Sequence, residues 1–201
     1  MPDALGDANV IAAVMAGGRS RRLGGDKATA QLAGRPLISH PIEALSAAGL
    51  EPVIVAKQKT RLPDLAVPVW REPDEPFHPL CGIIAALERA EGAGVIACGC
   101  DMPFLVPGLI RALAERDAPL VVPRTGDGLH PLLARYDGSL LGPLCAALDA
   151  RSPLQETVAA LEPVVLNEEE LRRFGDPARL LFNVNTPADL ARAEELLREE
   201  S

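Results

Sequence analysis

The chain begins its first apolar run at Val10-Ile11-Ala12-Ala13-Val14-Met15 and continues directly into Ala16-Gly17-Gly18-Arg19-Ser20-Arg21-Arg22-Leu23-Gly24-Gly25-Asp26-Lys27. A short apolar run that contains β-branched residues and ends in paired glycines predicts a buried strand that opens into a loop. In α/β sheets, ligands bind in the crevice at the carboxyl ends of the strands. This stretch therefore predicts an α/β fold with a ligand site directly behind the first strand.

The loop behind this strand suits an anionic ligand. Glycines let backbone N–H groups approach a phosphate closely, because no Cβ stands in the way. The loop also concentrates positive charge on a chain whose net charge is −8, through Arg19, Arg21, Arg22 and Lys27. It matches neither the P-loop pattern nor the dinucleotide-binding glycine pattern. The alternative is a surface loop whose arginines are solvated and whose glycines only turn the chain.

Apolar runs alternate with helical patterns along the chain, which predicts a mainly parallel sheet covered by helices. The predicted strands lie near residues 10–15, 52–56, 67–70, 94–99, 119–123, 129–136 and 163–166. The predicted helices lie near residues 36–48, 80–91, 105–116, 139–150, 153–160 and 187–199.

Length and composition indicate a globular protein with one medium-sized domain. The 201 residues, 48% hydrophobic and 24% charged, predict one domain over residues 1–201, with residues 1–8 frayed. The acidic balance argues against general nucleic-acid binding. No apolar stretch reaches the ~20 residues of a membrane span, and no basic-then-apolar leader begins the chain. We therefore expect a cytoplasmic protein that contacts neither nucleic acid nor membrane.

The four cysteines, Cys81, Cys98, Cys100 and Cys145, lack the spacing of a zinc site. Two of them fall in an apolar run. We expect buried free thiols rather than a metal site or a disulfide framework.

A carboxylate follows the apolar run that begins at Val95, in the sequence Cys98-Gly99-Cys100-Asp101-Met102-Pro103. At the carboxyl edge of a sheet, Asp101 is a candidate ligand for Mg²⁺. That ion binds oxygen and commonly takes one or two protein carboxylates together with substrate phosphates. The alternative is that Asp101 caps a helix beginning near Pro103.

Two asparagines alternate near the end of the chain, in Asn183-Val184-Asn185-Thr186-Pro187. On an extended segment their side chains share one face. Thr186 and Pro187 fit the start of a helix, as N-cap and first helical residue. The helix start does not account for the asparagines, whose amide oxygens are candidates for a metal or a ligand.

These stretches together resemble the molybdenum cofactor guanylyltransferases, of the MobA type, within the nucleoside-triphosphate-transferase superfamily. That family opens with L-A-G-G-x-S-x-R-M-G-x-D-K, which residues 15–27 match. Its G-P-L-x-G, C-D-M-P, P-L-x-A-x-Y and N-x-N-T-P-x-D motifs correspond, in order, to residues 78–82, 100–103, 131–136 and 183–189. The ordered set spans residues 10–199.

The resemblance implies a Rossmann-like, three-layer α/β fold whose mostly parallel sheet is flanked by helices, of the nucleotide-diphospho-sugar transferase type. It implies transfer of GMP from GTP to the phosphate of molybdopterin, giving molybdopterin guanine dinucleotide and pyrophosphate, with Mg²⁺ as cofactor. Transient contacts with proteins that deliver or accept the cofactor are an expectation of the same kind.

The resemblance also assigns roles to residues. Arg22 and Lys27 would hold the triphosphate, and Asp101 would bind Mg²⁺ with Asn185 nearby, so Arg22, Lys27 and Asp101 form the expected catalytic set. An acid ahead of the G-P-L turn would contact guanine, with Glu72 as the first candidate and Asp74 as the second. The backbone groups expected to contact the nucleotide are those of Met15, Ala16, Gly17 and Gly18.

One departure and two alternatives stay open. His78 stands where the family has the first glycine of its turn. A related enzyme could use CTP or another phosphorylated acceptor, although the paired Gly17 and Gly18 and the Asp26 before Lys27 favour the guanylyl type. A noncatalytic nucleotide-binding regulator would be expected to lack Lys27 or Asp101, and this chain has both.

Overall fold

The computed structural model describes residues 10–18 and 27–199. In this part of the chain, strands β1 to β10 cover Val10–Met15, Gln31–Leu32, Arg35–Pro36, Pro52–Lys57, Val69–Glu72, Gly94–Gly99, Leu120–Thr125, Gly128–Leu129, Leu133–Tyr136 and Val164–Leu166. Helices α1 to α8 cover Ser39–Ala47, Pro79–Arg89, Pro107–Glu115, Leu141–Asp149, Leu154–Ala160, Glu168–Leu171, Pro177–Leu180 and Pro187–Arg198. No helix among these residues has the length and apolarity to cross a membrane.

The main sheet has the strand order β10-β7-β9-β6-β1-β4-β5, with β8 paired to β7. Strand β1 is parallel to both of its neighbours, β4 and β6, and β4 is parallel to β5. Only β9, among the strands on that path, runs antiparallel to the strands beside it. The carboxyl ends of β1, β4, β5 and β6 therefore meet along one edge of the sheet.

Apolar side chains cover both faces of the sheet, because successive residues of a strand point to opposite sides. On one face Val14 and Ile96 pack in a core cluster with Leu45 of α1 and Leu109 of α3. The other face carries a second cluster, in which strand residues pack against α2 and α4. The predicted three-layer architecture with a mostly parallel sheet is confirmed.

Two sequence predictions were wrong in detail. The strand expected over residues 129–136 is two strands, β8 and β9, because the intervening Pro131 has no N–H to donate to a ladder. The helix expected from residue 36 begins at Ser39, because Pro36 lies in the β2–β3 hairpin. Pro41 then falls within the first turn of α1, where a missing N–H costs nothing. The short helices α6 and α7 were not predicted.

The segment before α8 is attached to the end of β6. The N–H of Val184 donates to the carbonyl of Asp101 at 2.9 Å, and the Val184 side chain is fully buried in a third core cluster with Leu32 and Phe104. Thr186 caps α8 in a reciprocal capping box with Asp189, as its sequence predicted. These contacts hold the two asparagines beside the strand end that carries Asp101.

Candidate active site

A cleft of about 710 Å³, partly open to solvent, lies at the carboxyl edge of β1, β4, β5 and β6 and against the first turn of α2. Its position is the one at which α/β sheets bind ligands. The cleft brings together side chains and glycines from distant parts of the sequence: Met15, Gly17, Gly18, Lys27, Glu72 and Asp101.

Lys27 joins the two predicted metal-binding residues at one end of this cleft. Its Nζ donates to Asp101 Oδ2 at 2.7 Å and to Asn185 Oδ1 at 2.5 Å. The Lys27 and Asp101 side chains are each 16% exposed. A carboxylate oxygen and an amide oxygen from separate segments thus already converge on one cation.

Asp101 owes its orientation to the backbone around it. A Cβ at Gly99 would overlap Asp101 Oδ1, so only glycine lets this carboxylate fold back over the end of β6. The alternative role as a helix cap is wrong, because α3 begins at Pro107 with Val106 as its N-cap. Asp101 is therefore placed for the cleft rather than for the helix.

Glu72 and Lys57 end neighbouring strands at the other end of the cleft, where they are directly paired in the β4–β5 register. Glu72 is 3% exposed and its Oε2 lies 3.5 Å from Lys57 Nζ. Burial raises the pKa of Glu72 above its ordinary value, and the positive charge of Lys57 offsets part of that rise. The second candidate acid, Asp74, does not line the cleft and pairs instead with Lys59, whose Nζ lies 3.5 Å from its carboxylate.

Two glycines, Gly17 and Gly82, lie next to the Glu72 carboxylate. A Cβ at Gly17 would overlap Glu72 Oε1, and a Cβ at Gly82 would lie 3.0 Å from Met15 Sδ and 3.8 Å from Glu72 Oε1. Ala16, in contrast, does not line the cleft: its N–H donates to Val55 O at 2.8 Å and extends the pairing of β1 with β4. The absence of a side chain at Gly17 therefore lets the Glu72 carboxylate occupy its place in the cleft wall.

We expect Gly17→Ala to disturb the free protein through this contact. The added methyl displaces the Glu72 carboxylate, and such overpacking costs ~1–3 kcal/mol. That cost corresponds to a fall in melting temperature of roughly 2–4 °C per kcal/mol for a chain of this size. Gly18→Ala is the matched control for differential scanning calorimetry without nucleotide, because no atom of the described residues lies within 4 Å of a Cβ there. Equal melting temperatures for the two variants would show that the Glu72 carboxylate does not pack against Gly17 as described.

His78 and Lys57 are the cleft residues whose roles the sequence did not reveal. His78 is the N-cap of α2, and its Nδ1 accepts from the N–H of Leu80 at 3.2 Å. The departure from the family glycine therefore supplies a cap to this helix. Lys57 ends an otherwise apolar strand, and a charged residue directly after such a run was the available signal.

Cys100 lines the cleft, and Cys98 lies near the end of the strand before it. All four cysteines are free, as predicted; Cys81, Cys98 and Cys100 are buried, whereas Cys145 is only partly buried. Burial raises the pKa of both of these thiols. Within residues 10–18 and 27–199, no three His, Cys, Asp or Glu residues are grouped to hold a metal ion. The predicted Arg22 lies outside the described residues.

The model of the MobA-like NTP transferase domain matches residues 12–165 of the chain. The chain belongs to this family. This MobA-like transferase is 33% identical, over 90% of its length and 89% of the relative's, to a probable molybdenum cofactor guanylyltransferase of Pelotomaculum thermopropionicum. It is 34% identical to the molybdenum cofactor guanylyltransferase of Cereibacter sphaeroides, over 94% and 97% of the two chains.

Solved structures of other proteins have the same fold as this chain. Molybdopterin-guanine dinucleotide biosynthesis protein A from Archaeoglobus fulgidus superposes with a TM-score of 0.76 at 27% identity, covering 94% and 98% of the two chains. A 2-C-methyl-D-erythritol 4-phosphate cytidylyltransferase from Thermus thermophilus shares the fold, with a TM-score of 0.67 at 19% identity over 94% and 98% of the chains. The chain thus shares its fold with both of these proteins.

Proposed function

We propose that the protein transfers GMP from GTP to the phosphate of molybdopterin, giving molybdopterin guanine dinucleotide and releasing pyrophosphate. One observation supports the proposal beyond family membership. At one end of the cleft, the Lys27 ammonium is held by Asp101 and Asn185, two oxygen groups that can also bind a metal ion. At the other end lies the buried carboxylate of Glu72. A nucleoside triphosphate has the complementary arrangement, with anionic phosphates at one end and N–H donors of a base at the other.

The reaction needs no side chain as nucleophile. An oxygen of the acceptor phosphate, already anionic at neutral pH, attacks the α-phosphorus of GTP, and the bond to the β-phosphate oxygen breaks with its electrons leaving on pyrophosphate. The protein must bring two highly negative molecules together. Lys27 supplies positive charge for the triphosphate. Its ammonium is positioned by Asp101, at the end of β6, and by Asn185. Positioning and electrostatic stabilisation therefore account for the catalysis.

The residues at the phosphate end fit a Mg²⁺ ion. Asp101 and Asn185 offer hard oxygen ligands that already converge on the ammonium of Lys27. One protein carboxylate plus substrate phosphates is a usual set for this ion. When bound, the ion would neutralise charge on the phosphates. Asp101 and Asn185 would hold it, and Lys27 would then be released to the nucleotide.

At the base end, the Glu72 carboxylate can accept hydrogen bonds from N1–H and the 2-amino group of guanine. This proposal predicts a pH effect. Because the pKa of Glu72 is raised, the carboxylate takes up its proton at a higher pH than an ordinary glutamate, whose value is 4.5. The KM for GTP should therefore rise as pH falls through that raised pKa and stay flat above it.

The measurement is the pH profile of KM for GTP in the wild type and in Glu72→Gln. At pH values above the raised pKa of Glu72 the glutamine variant should bind GTP more weakly than the wild type, and it should lack the acidic rise that belongs to Glu72. A profile with the same rise in both proteins would assign the titration to another group, such as the terminal phosphate of GTP.

Mass spectrometry of the products tests the proposed function. Incubation of the protein with GTP, Mg²⁺ and molybdopterin should yield the guanine dinucleotide and pyrophosphate. Thermal stabilisation by GTP, CTP, ATP and UTP in the presence of Mg²⁺ ranks the bases, and a preference for CTP would overturn the choice of guanine. GTP binding without pyrophosphate release would indicate a noncatalytic binding protein. The cytoplasmic location and the contacts with delivering or accepting proteins stay predictions.

A further inference from the structure

Lys57 is a buried lysine in the wall of the cleft, and neither family membership nor the proposed mechanism gives it a role. It is 6% exposed and ends β4 directly beside Glu72. Its Nζ donates to the carbonyl of Pro73 at 2.8 Å and lies 5.2 Å from the centre of the Phe77 ring. Burying an ammonium is expensive unless the site uses its charge and its donors.

Pairing with the charge of Glu72 does not by itself explain why the ammonium of Lys57 is buried in the cleft wall. The 3.5 Å separation of the two charges is longer than a normal charge-assisted hydrogen bond. Oε2 of Glu72 accepts no hydrogen bond from any residue that the structure describes. An ammonium has three N–H bonds, and among residues 10–18 and 27–199 only Pro73 accepts one from Nζ. The pair therefore retains donors and acceptors that a bound molecule can satisfy.

The arrangement of these groups matches one purine. The Watson–Crick edge of guanine offers the O6 acceptor followed by two donors, N1–H and the 2-amino group, and proteins read flipped or unpaired bases along this edge. Lys57 supplies a donor beside the two acceptor oxygens of Glu72. Adenine reverses the first two positions, since its 6-amino group would face the ammonium and its bare N1 would face the carboxylate.

We infer, on the basis of the proposed function, that Lys57 is a specificity-determining residue: its ammonium donates to O6 of guanine while Glu72 accepts from N1–H and the 2-amino group. A Cβ at Gly17 would overlap Glu72 Oε1, so this glycine lets the carboxylate lie in the cleft wall beside Lys57. Phe77 packs against the ammonium and helps to keep it at this position.

The experiment compares nucleotides that differ at single positions of the base. In 6-thio-GTP, sulfur replaces O6 and N1–H and the 2-amino group are kept, whereas ITP keeps O6 and N1–H and lacks the 2-amino group. The wild type should prefer GTP over 6-thio-GTP by about tenfold or more in Kd, which is the usual effect of a buried hydrogen bond to a charged group. Lys57→Met should reduce that preference to about one while keeping a preference for GTP over ITP.

Glu72→Gln should show the opposite pattern, losing most of the preference for GTP over ITP. Lys59→Met is the matched control, because Lys59 lies two residues further on, is almost fully exposed and does not line the cleft. If Lys57→Met does not fold with its buried carboxylate unpaired, the double variant Lys57→Met/Glu72→Gln removes both charges. That variant should bind GTP, 6-thio-GTP and ITP with similar affinity.

Two measurements separate this inference from the proposed function. If the wild type makes the guanine dinucleotide and Lys57→Met keeps the full preference for GTP over 6-thio-GTP, the role of Lys57 is wrong and the function stands. If the wild type binds GTP with the predicted dependence on Lys57 but makes no guanine dinucleotide, the function is wrong and the base-reading role stands.

Discussion

Replacing Lys27 with alanine should lower the rate of guanylyl transfer by about a hundredfold or more and leave the protein folded. One preorganised cation or donor in such a site contributes ~3–4 kcal/mol to stabilising the transition state, and each 1.4 kcal/mol is a factor of about ten in rate. The fold should survive, because Lys27 is in a short turn at the rim of the cleft and belongs to none of the three core clusters. Steady-state kinetics with saturating GTP and circular dichroism check both statements.

The exposed Lys59 provides the control for this variant, and Lys59→Ala should keep wild-type turnover. Near-normal transfer by Lys27→Ala would remove Lys27 from the catalytic set. A second readout does not depend on activity. Because the ammonium of Lys27 occupies the position between Asp101 and Asn185, Lys27→Ala should bind Mn²⁺ more tightly than the wild type in the absence of nucleotide. Electron paramagnetic resonance of free Mn²⁺ measures this directly.

Asp101→Asn should have a larger effect, lowering transfer by about a thousandfold. The amide keeps the size of the side chain but removes the one carboxylate that reaches the cation-binding end among the described lining residues. A bound divalent ion contributes several kcal/mol to phosphoryl-type transfer, which is about three factors of ten in rate. Mn²⁺ binding in the presence of GTP should weaken in parallel.

Asp117→Asn is the control for this substitution, because Asp117 is exposed and precedes β7, at the amino edge of the sheet. A loss of transfer without a loss of metal binding would show that Asp101 acts on the substrate and not through an ion. Retention of both would place the metal elsewhere.

The sequence predicted that Lys27 and Asp101 lie close together, for a topological reason. Asp101 and the loop that ends at Lys27 each follow a strand in an apolar run, and the carboxyl ends of parallel strands meet at one edge. Asn185 could be added because two alternating asparagines had no explanation in the helix start that follows them. The roles given to these residues stay predictions, as does that of Arg22.

The Glu72 end of the cleft was harder to predict, because Glu72 lies where β5 ends and a loop rich in prolines begins. Glu72 and Asp74 are two residues apart, and only the β4–β5 register shows that Glu72 faces the cleft. Lys57 was missed because a lysine at the end of an apolar run usually reaches into solvent, and its burial depends on Phe77 and Pro73. The β2–β3 hairpin was not predicted, because its two-residue strands are too short to show an alternation of apolar and polar residues.

The hydrogen bond from Val184 to the carbonyl of Asp101 has a consequence for anyone who shortens this protein. The conserved-domain match stops at residue 165, yet Asn185 arrives from the remaining tail and shares the Lys27 ammonium with Asp101. A truncation at that boundary would cut β10 before its last residue, Leu166, and would remove Asn185, one of the two side chains whose oxygens accept from Lys27. A protein ended at the domain boundary would therefore lose a residue of the site together with buried residues of the core, among them Leu171 and Val184.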